Sequence, residues 1–482
     1  MKPASGKERG YVMAKMIKNT QEILSVGDVE SRRKVLELTD RVLQRLDATQ
    51  RVREFMRLEG DILHVGNRQW DLSKKKNLYI FGAGKACNQM AMAATELLRD
   101  RMTKAVIIVK IPEETDRYYH TEVFVGGHPL PNHEGEAGCR RMLEIVDASG
   151  PDDLFLVLIS GGSTSLMGCP IDGITLEELM ESRDVMLKSN MRILDINCVN
   201  GHCEQLNRGR LAQRIMRRGG EIICLNIWDV IGWPEIRDYG EPIDMFGTPV
   251  GPDRSTFEQA REIIKAYGLK GKIPDSIYQY IQNGTPEQET PKSIERATYF
   301  FLNILSDSCK YAMESAAEMG IEGHVLTTSL EGESKDAGML LASIAKEIQQ
   351  YGRPFRAPCF LFAGGETTTY VDKTKPVTGH GGPGHELTAG FALVANEAPG
   401  CCMLSIDTEG SDGTTVYAGG ITDSTTYRRA AQEKLILQEA LRGHATFEAL
   451  HRLHDCVYTG NTGTNLCDFN VLYVPQILKK EE

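Results

Sequence analysis

Leu78-Tyr79-Ile80-Phe81-Gly82-Ala83-Gly84-Lys85-Ala86 is an apolar run that breaks into spaced glycines and a lysine. Successive apolar residues suit a strand buried on both faces, and glycines at 82 and 84 suit a tight turn into a helix. Other segments repeat the device. Leu154–Ile159 runs into Ser160-Gly161-Gly162-Ser163-Thr164-Ser165, Ile222–Ile227 runs into Trp228-Asp229, and Ala105–Val109 is a further apolar run. Such alternation predicts parallel strands with helices on both faces. The polar loops then lie at the carboxyl ends of strands, where ligands bind in such sheets.

A second series begins near residue 300. The spacing predicts a helix over 308–319, a strand at His324–Thr328, a helix over 335–351, and strands at Cys359–Ala363 and Cys402–Ile406. The expected fold class is therefore α/β: two domains, 1–299 and 300–482, with mainly parallel sheets flanked by helices. Residues 15–58 read as amphipathic helices leading into the first domain. The Pro-, Gly- and charge-rich stretch 268–298 reads as a surface connection.

Bulk properties narrow the function. The chain has 482 residues, 41% hydrophobic and 25% charged, which is ordinary globular composition. A net charge of −11 would repel a phosphate backbone, so nucleic acid is not an expected partner. Twelve cysteines form no CxxC pair and read as reduced, buried thiols. The start MKPASGKERGYVMAKM has no apolar h-region, and no run approaches the roughly 20 apolar residues that span a bilayer. A cytoplasmic protein acting on a small molecule, free or as an oligomer, is expected, with no membrane.

Several motifs carry candidate chemistry. Gly82, Gly84 and Lys85 could seat an anion at a helix start, with the lysine as counter-charge. Ser160, Gly161, Gly162, Ser163 and Thr164 offer hydroxyls and N–H groups to an oxyanion; a well-capped helix start is the plainer alternative. Asp229 could accept a substrate proton or only cap a helix. Gly364-Gly365-Glu366-Thr367 and Gly379-His380-Gly381-Gly382-Pro383-Gly384-His385-Glu386 set glycines beside carboxylates and histidines. Glu366, Glu386, Asp407, Glu409 and Asp412 are candidates for magnesium or for orienting hydroxyls. His380, His385 and Glu386, with His128 or His202, could instead hold zinc, manganese or iron.

These motifs, in this order, resemble the type II glycerate 2-kinase family, whose members pair an N-terminal α/β domain with a C-terminal MOFRL domain across a cleft. The resemblance rests on GAGKA at 82–86, GGHPLPN at 126–132, ISGGSTSL at 159–166, NCVNGH and RGRLA within 197–212, and DVIG at 229–232. It continues with SLEGES at 329–334, AGGETT at 363–368, GHGGPGHE at 379–386, TEGSDG at 408–413 and TGNTGTN at 459–465. It implies transfer of the γ-phosphoryl group of ATP, with magnesium, to the 2-hydroxyl of D-glycerate. Lys85 and Asp229 match the family's lysine and aspartate. The phosphate- and substrate-binding set would be Gly82, Gly84, Ser160, Gly161, Gly162, Ser163, Thr164, His202, Arg208, Arg210, Gly364, Gly365 and Thr367.

Some positions depart from the family pattern. Asn207 stands for a lysine, Pro383 for an arginine, Trp228 for a serine and Glu409 for an aspartate, and Phe246-Gly247-Thr248-Pro249 replaces SGPT. Arg208 and His385 lie near the two lost cations, and Trp228 would fill space of the usual substrate or nucleotide. Two readings follow. The first is ATP-dependent phosphorylation of glycerate or a related hydroxy acid, with Lys85 on the phosphates and Asp229 near the acceptor hydroxyl. The second is a metal-dependent isomerase, epimerase or lyase acting on a sugar acid through His380, His385 and Glu386.

Overall fold

The computed structural model describes residues 15–189, 191–232, 247–372, 374 and 376–476, with the backbone of 238 and 239. Residues 1–14 of the N-terminal stretch, and Phe246, lie outside the described residues. The chain divides into two compact units. One comprises Asp47–Leu305 with Gly463–Leu466, and the other the residues up to Leu46 with Ser306–Thr462 and Cys467–Glu482.

The first unit opens with an antiparallel meander, β1 (Met56–Glu59), β2 (Ile62–Val65) and β3 (Arg68–Asp71). Its main sheet contains β4 (Asn77–Ala83), β5 (Lys104–Val109), β6 (Thr121–Val125), β7 (Asp153–Ile159), β8 (Glu221–Trp228), β9 (Asp238–Tyr239) and β10 (Ala297–Ile304). The strand order is β6-β5-β4-β7-β8-β10-β9, parallel except for β9. All residues of β7 are buried, as its unbroken apolar sequence requires of a strand covered on both faces. The order runs outward in both directions from the β4/β7 pair, so the chain reverses there, and the loops leaving these two strands open a crevice suited to a ligand.

A small helical layer has its own core within this unit. Residues 268–298, expected as a surface connection, help to build it. The helix Asp275–Asn283 buries Ile277 and Ile281 against Phe257 and Ile264 of Phe257–Ala266. The apolar spacing of DSIYQYIQN outweighs its polar flanks, and β10 begins at Ala297.

The second unit contains β11 (Glu322–Leu330), β12 (Cys359–Gly365), β13 (Cys402–Asp407), β14 (Gly419–Asp423), β15 (Cys456–Val457) and β16 (Asp468–Val474). Its order is β11-β12-β16-β13-β14-β15. Here the expectation of a mainly parallel sheet needs correction. Only β11 and β12 pair in parallel; β16 inserts antiparallel between β12 and β13, and β14 and β15 add antiparallel. The α/β class with helix-flanked sheets stands, because the helices Asp307–Glu318, Ser334–Tyr351 and Pro383–Ala395 still cover the sheet.

The helix Val29–Leu46 belongs to this second unit, which differs from the expected 1–299 grouping. Its buried face, including Val35, Leu38, Val42 and Leu46, packs on Asp307–Glu318 and on β13 and β16. Arg32 of this helix is fully buried and donates to Asp423 and, at 2.7 Å, to Asp455. All twelve cysteines are free, and all but Cys467 are buried. Among the described residues no helix is long and apolar enough to cross a membrane.

Candidate active site at the β4 and β7 loops

The turn after β4 and the turn after β7 are built into one another. Lys85 N donates to Gly161 O at 2.9 Å, Ser160 N to Ala83 O at 3.2 Å, and Ala86 N to Ser160 Oγ at 3.0 Å. Gly84 has φ +130°, and any Cβ there would collide with Ser160; only glycine permits both the conformation and the approach. Gly162 has φ +82°, and a Cβ at this position would stand 3.3 Å from Lys85 Cγ and 3.2 Å from the His128 ring. Half-buried Lys85 and exposed His128 thus flank the β7 turn.

Asp229 follows the last residue of β8, the next strand in the sheet. Its Oδ2 accepts a hydrogen bond of 2.8 Å from Asn465 Nδ2. A Cβ on Gly161 would collide with both of these atoms, so the pair lies directly against the β7 turn. Asn465 is buried, at 3% exposure, and comes from the segment Gly463–Leu466 grouped with this unit. The structure therefore brings together Gly84, Lys85, Ser160, Gly161, Gly162 and Asp229 of the expected residues. It adds Asn465, and it sets His128, read from the sequence only as a possible metal ligand, beside the β7 turn. TGNTGTN showed a polar turn in the sequence, but one sequence carries no sign of which asparagine would meet a carboxylate more than two hundred residues away.

Other expected binders have different positions. His202 is fully buried and engaged at both nitrogens, Nδ1 to Cys198 O at 2.7 Å and Nε2 to Glu289 Oε1 at 2.8 Å. That is a core histidine tying the end of its own helix, Ile193–His202, to the loop at Glu289. Despite the effect of burial, the His202 contact and the Phe257 amide bring the Glu289 carboxyl down to about 2. Arg210 donates to the carbonyls of His202 and Gln288. Arg208, at φ +57°, sets its Nε 3.2 Å from Asp253 Oδ2.

Asn207 instead becomes a tie. Its Nδ2 donates to Thr164 O at 3.1 Å, Met167 O at 3.4 Å and the Glu204 carboxylate. Burial pushes the Glu204 carboxyl up to about 7, against the opposing Asn207 hydrogen bond. Trp228 lies in the apolar core, edge-on to Phe301 with ring centroids 6.0 Å apart. Its bulk is absorbed by packing rather than by the ligand loops, which corrects the expectation that it occupies ligand space.

In the second unit the glycine-rich motifs serve the framework first. Gly365, at φ +151°, lets β12 pass the Leu330 backbone, where a Cβ would collide. Thr367 donates from N at 3.1 Å and Oγ1 at 3.3 Å to Asp468 Oδ2. Burial and the nearby Asp412 carboxylate push the Asp468 carboxyl up to about 8. Asp412 accepts from Gly384 N at 3.1 Å and His385 N at 2.9 Å, and also meets His385 Nδ1. It caps the helix Pro383–Ala395, where the unpaired amides of a first turn need an acceptor.

The transition-metal constellation is not assembled. His380 Nδ1 meets Glu448 at 2.7 Å, His385 meets Asp412, and Glu386 Oε1 meets His444 Nδ1 at 2.7 Å. His380 is exposed, whereas His385 and Glu386 are buried. Successive residues at a helix start point in different directions, and each takes its own partner. Among the described residues no group of three or more His, Cys, Asp or Glu side chains is placed to hold a metal ion. Glu366 is exposed at the end of β12.

Comparison with known proteins matches this architecture. Residues 34–282 match the family model described as a domain of unknown function, DUF4147, and residues 359–468 match the MOFRL family. A glycerate 2-kinase of Pyrococcus horikoshii is 32% identical over 434 residues, 89% of this chain and 94% of that protein. A D-glycerate 2-kinase of Thermotoga maritima is 32% identical over 390 residues, 81% of this chain and 88% of that protein. The crystal structure of a Thermotoga maritima glycerate kinase superposes with a TM-score of 0.76 at 29% identity, covering 91% of this chain and 98% of that one. The fold and these likenesses define a kinase-like α/β enzyme. The chain belongs to the glycerate 2-kinase family.

Proposed function

We propose that this protein transfers the γ-phosphoryl group of ATP to a hydroxyl of D-glycerate or a closely related small hydroxy acid. The observation that carries the reading is the convergence of Lys85, the interlocked β4 and β7 turns and Asp229 at the point where strand order reverses. Phosphoryl transfer asks mainly for positioning and charge neutralisation. Lys85 and the turn amides would hold phosphate oxygens, with His128 beside them. Asp229, oriented by Asn465, would accept the proton of the attacking hydroxyl. The names of the relatives supply the acceptor: two are glycerate 2-kinases.

Magnesium bound through phosphate oxygens and water needs only one or two carboxylates. Asp229 is half-buried beside these turns, and that donor fits such an ion, which Asp229 would share with the acceptor hydroxyl. When bound, the ion would neutralise charge on the phosphates. Zinc, manganese or iron held by His380, His385 and Glu386 does not fit the separate pairings of those side chains.

The test is phosphorylation of D-glycerate and a panel of sugar acids by purified protein with ATP and magnesium. Product should form with glycerate, and Lys85→Ala should lower kcat by about 100-fold, as loss of one charge-stabilising donor does. Failure to phosphorylate any acid, with Asp229→Ala changing nothing, would sink the reading.

A further inference from the structure

We propose that the unit containing β11–β16 carries a separate ligand pocket, which takes a ring-bearing small anion of the class of a nucleoside monophosphate. The cavity has a volume of about 440 Å³, within the roughly 300–1,000 Å³ range of small-molecule sites. One wall is apolar, formed by Tyr370, Pro376, Leu393 and Leu441. The Tyr370 side is open, with that residue 74% exposed, so a flat group can stack on an aromatic face not covered by protein. A three-carbon acid would leave this wall bare.

The polar lining includes three basic residues, Lys335, Arg442 and His444, with Asp372 and Gln438 completing the cavity. Among the described residues Arg442 has no hydrogen-bond or ion-pair partner, and its forked guanidinium suits phosphate oxygens. Lys335 bonds one carboxylate, Glu333, and an ammonium has three donors.

His444 is held in place. Its Nδ1 meets Glu386 Oε1 at 2.7 Å, and a carboxylate at one ring nitrogen fixes the orientation of the other. Glu386 is 2% exposed, and its Oε2 has no hydrogen-bond partner. His444 also has φ +52°, a conformation that non-glycine residues seldom adopt. A constrained histidine and an unpaired arginine thus meet at one cavity. The phosphate of the ligand would lie on Arg442 and Lys335, with its ring on Tyr370.

The proposal does not depend on phosphoryl transfer, because AMP lacks the β and γ phosphates that the Lys85 turn would hold. Calorimetric titration of the full chain with AMP tests it. Wild type should bind AMP saturably, and Arg442→Ala should weaken binding by about tenfold, the effect of one charge-assisted contact. Gln438→Trp, which fills the cavity from a half-buried position, should abolish binding, and Lys85→Ala should leave it unchanged. Adenosine should bind more weakly than AMP and be indifferent to Arg442→Ala. Thermal melts establish that the variants are folded. No saturable AMP binding to wild type, or binding that survives both pocket substitutions and is lost in Lys85→Ala, overturns the proposal.

Discussion

Asn465 Nδ2 donates to Asp229 Oδ2 at 2.8 Å, so a residue near the end of the chain orients a carboxylate at the end of β8. A donor on one oxygen favours the ionised carboxylate and fixes its plane. If Asp229 accepts the proton of the attacking hydroxyl, Asn465→Ala should lower kcat by about tenfold to a hundredfold through misplacement, with little change in KM for ATP. Asn465→Asp sets two carboxylates side by side, and the acid limb of the kcat profile should move up by about one pH unit. A profile identical to wild type would count against the positioning role.

Gly161 offers an independent probe of the same arrangement. A Cβ there collides with both Asn465 Nδ2 and Asp229 Oδ2, although Gly161 itself lies in a half-buried turn outside the core. Gly161→Ala should therefore cost most of the activity while the melting temperature falls by no more than a few degrees. Calorimetry and kinetics on one preparation separate the two effects.

Burial raises the Glu204 carboxyl from 4.5 to about 7. Below the unfolded value both states are protonated and the penalty for burying charge is absent. Between 4.5 and about 7 the unfolded chain gives up its proton first, so stability falls as pH rises through that window. Glu204→Gln should remove this part of the dependence. Thermal melts at about pH 5 and about pH 8 should differ less for the variant than for wild type.

Arg32 joins the N-terminal helix to Asp423 and Asp455, with all three side chains fully buried. Removing it leaves two carboxylates without their shared cation, so Arg32→Met should destabilise the protein by about 3–5 kcal/mol. Against the effect of burial, Arg32 brings the Asp423 carboxyl from 3.8 to about 2. Its contribution is present above the unfolded value and is lost as pH falls toward about 2. Urea denaturation at neutral and acid pH should show the wild type converging on the variant in acid.

The sequence made some of this legible and hid the rest for physical reasons. Runs such as Leu154–Ile159 and Cys359–Ala363 were readable because burial on both faces leaves no polar interruption. β16 was not, since DFNVLYV lies at the end of the chain, and nothing local says that it inserts antiparallel between β12 and β13. In the site, Lys85, Gly161 and Asp229 announced themselves by following apolar runs. His202 looked equally eligible, yet its nitrogens serve the core. Histidine spacing cannot separate these cases, because the partner Glu289 lies 87 residues away.

The helix Val29–Leu46 is covered by elements that begin at Ser306 and end with β16 at Val474. During translation, its apolar stripe leaves the ribosome long before the surface that buries it exists. The unit formed by Asp47–Leu305 lacks only Gly463–Leu466 and can gather most of its own core meanwhile. The helix Val29–Leu46 therefore stays uncovered until the residues up to Val474 have been made, an interval in which its apolar stripe faces chaperones and other nascent chains. A stop codon between Leu46 and Ser306 would strand that helix as well as deleting the elements that cover it.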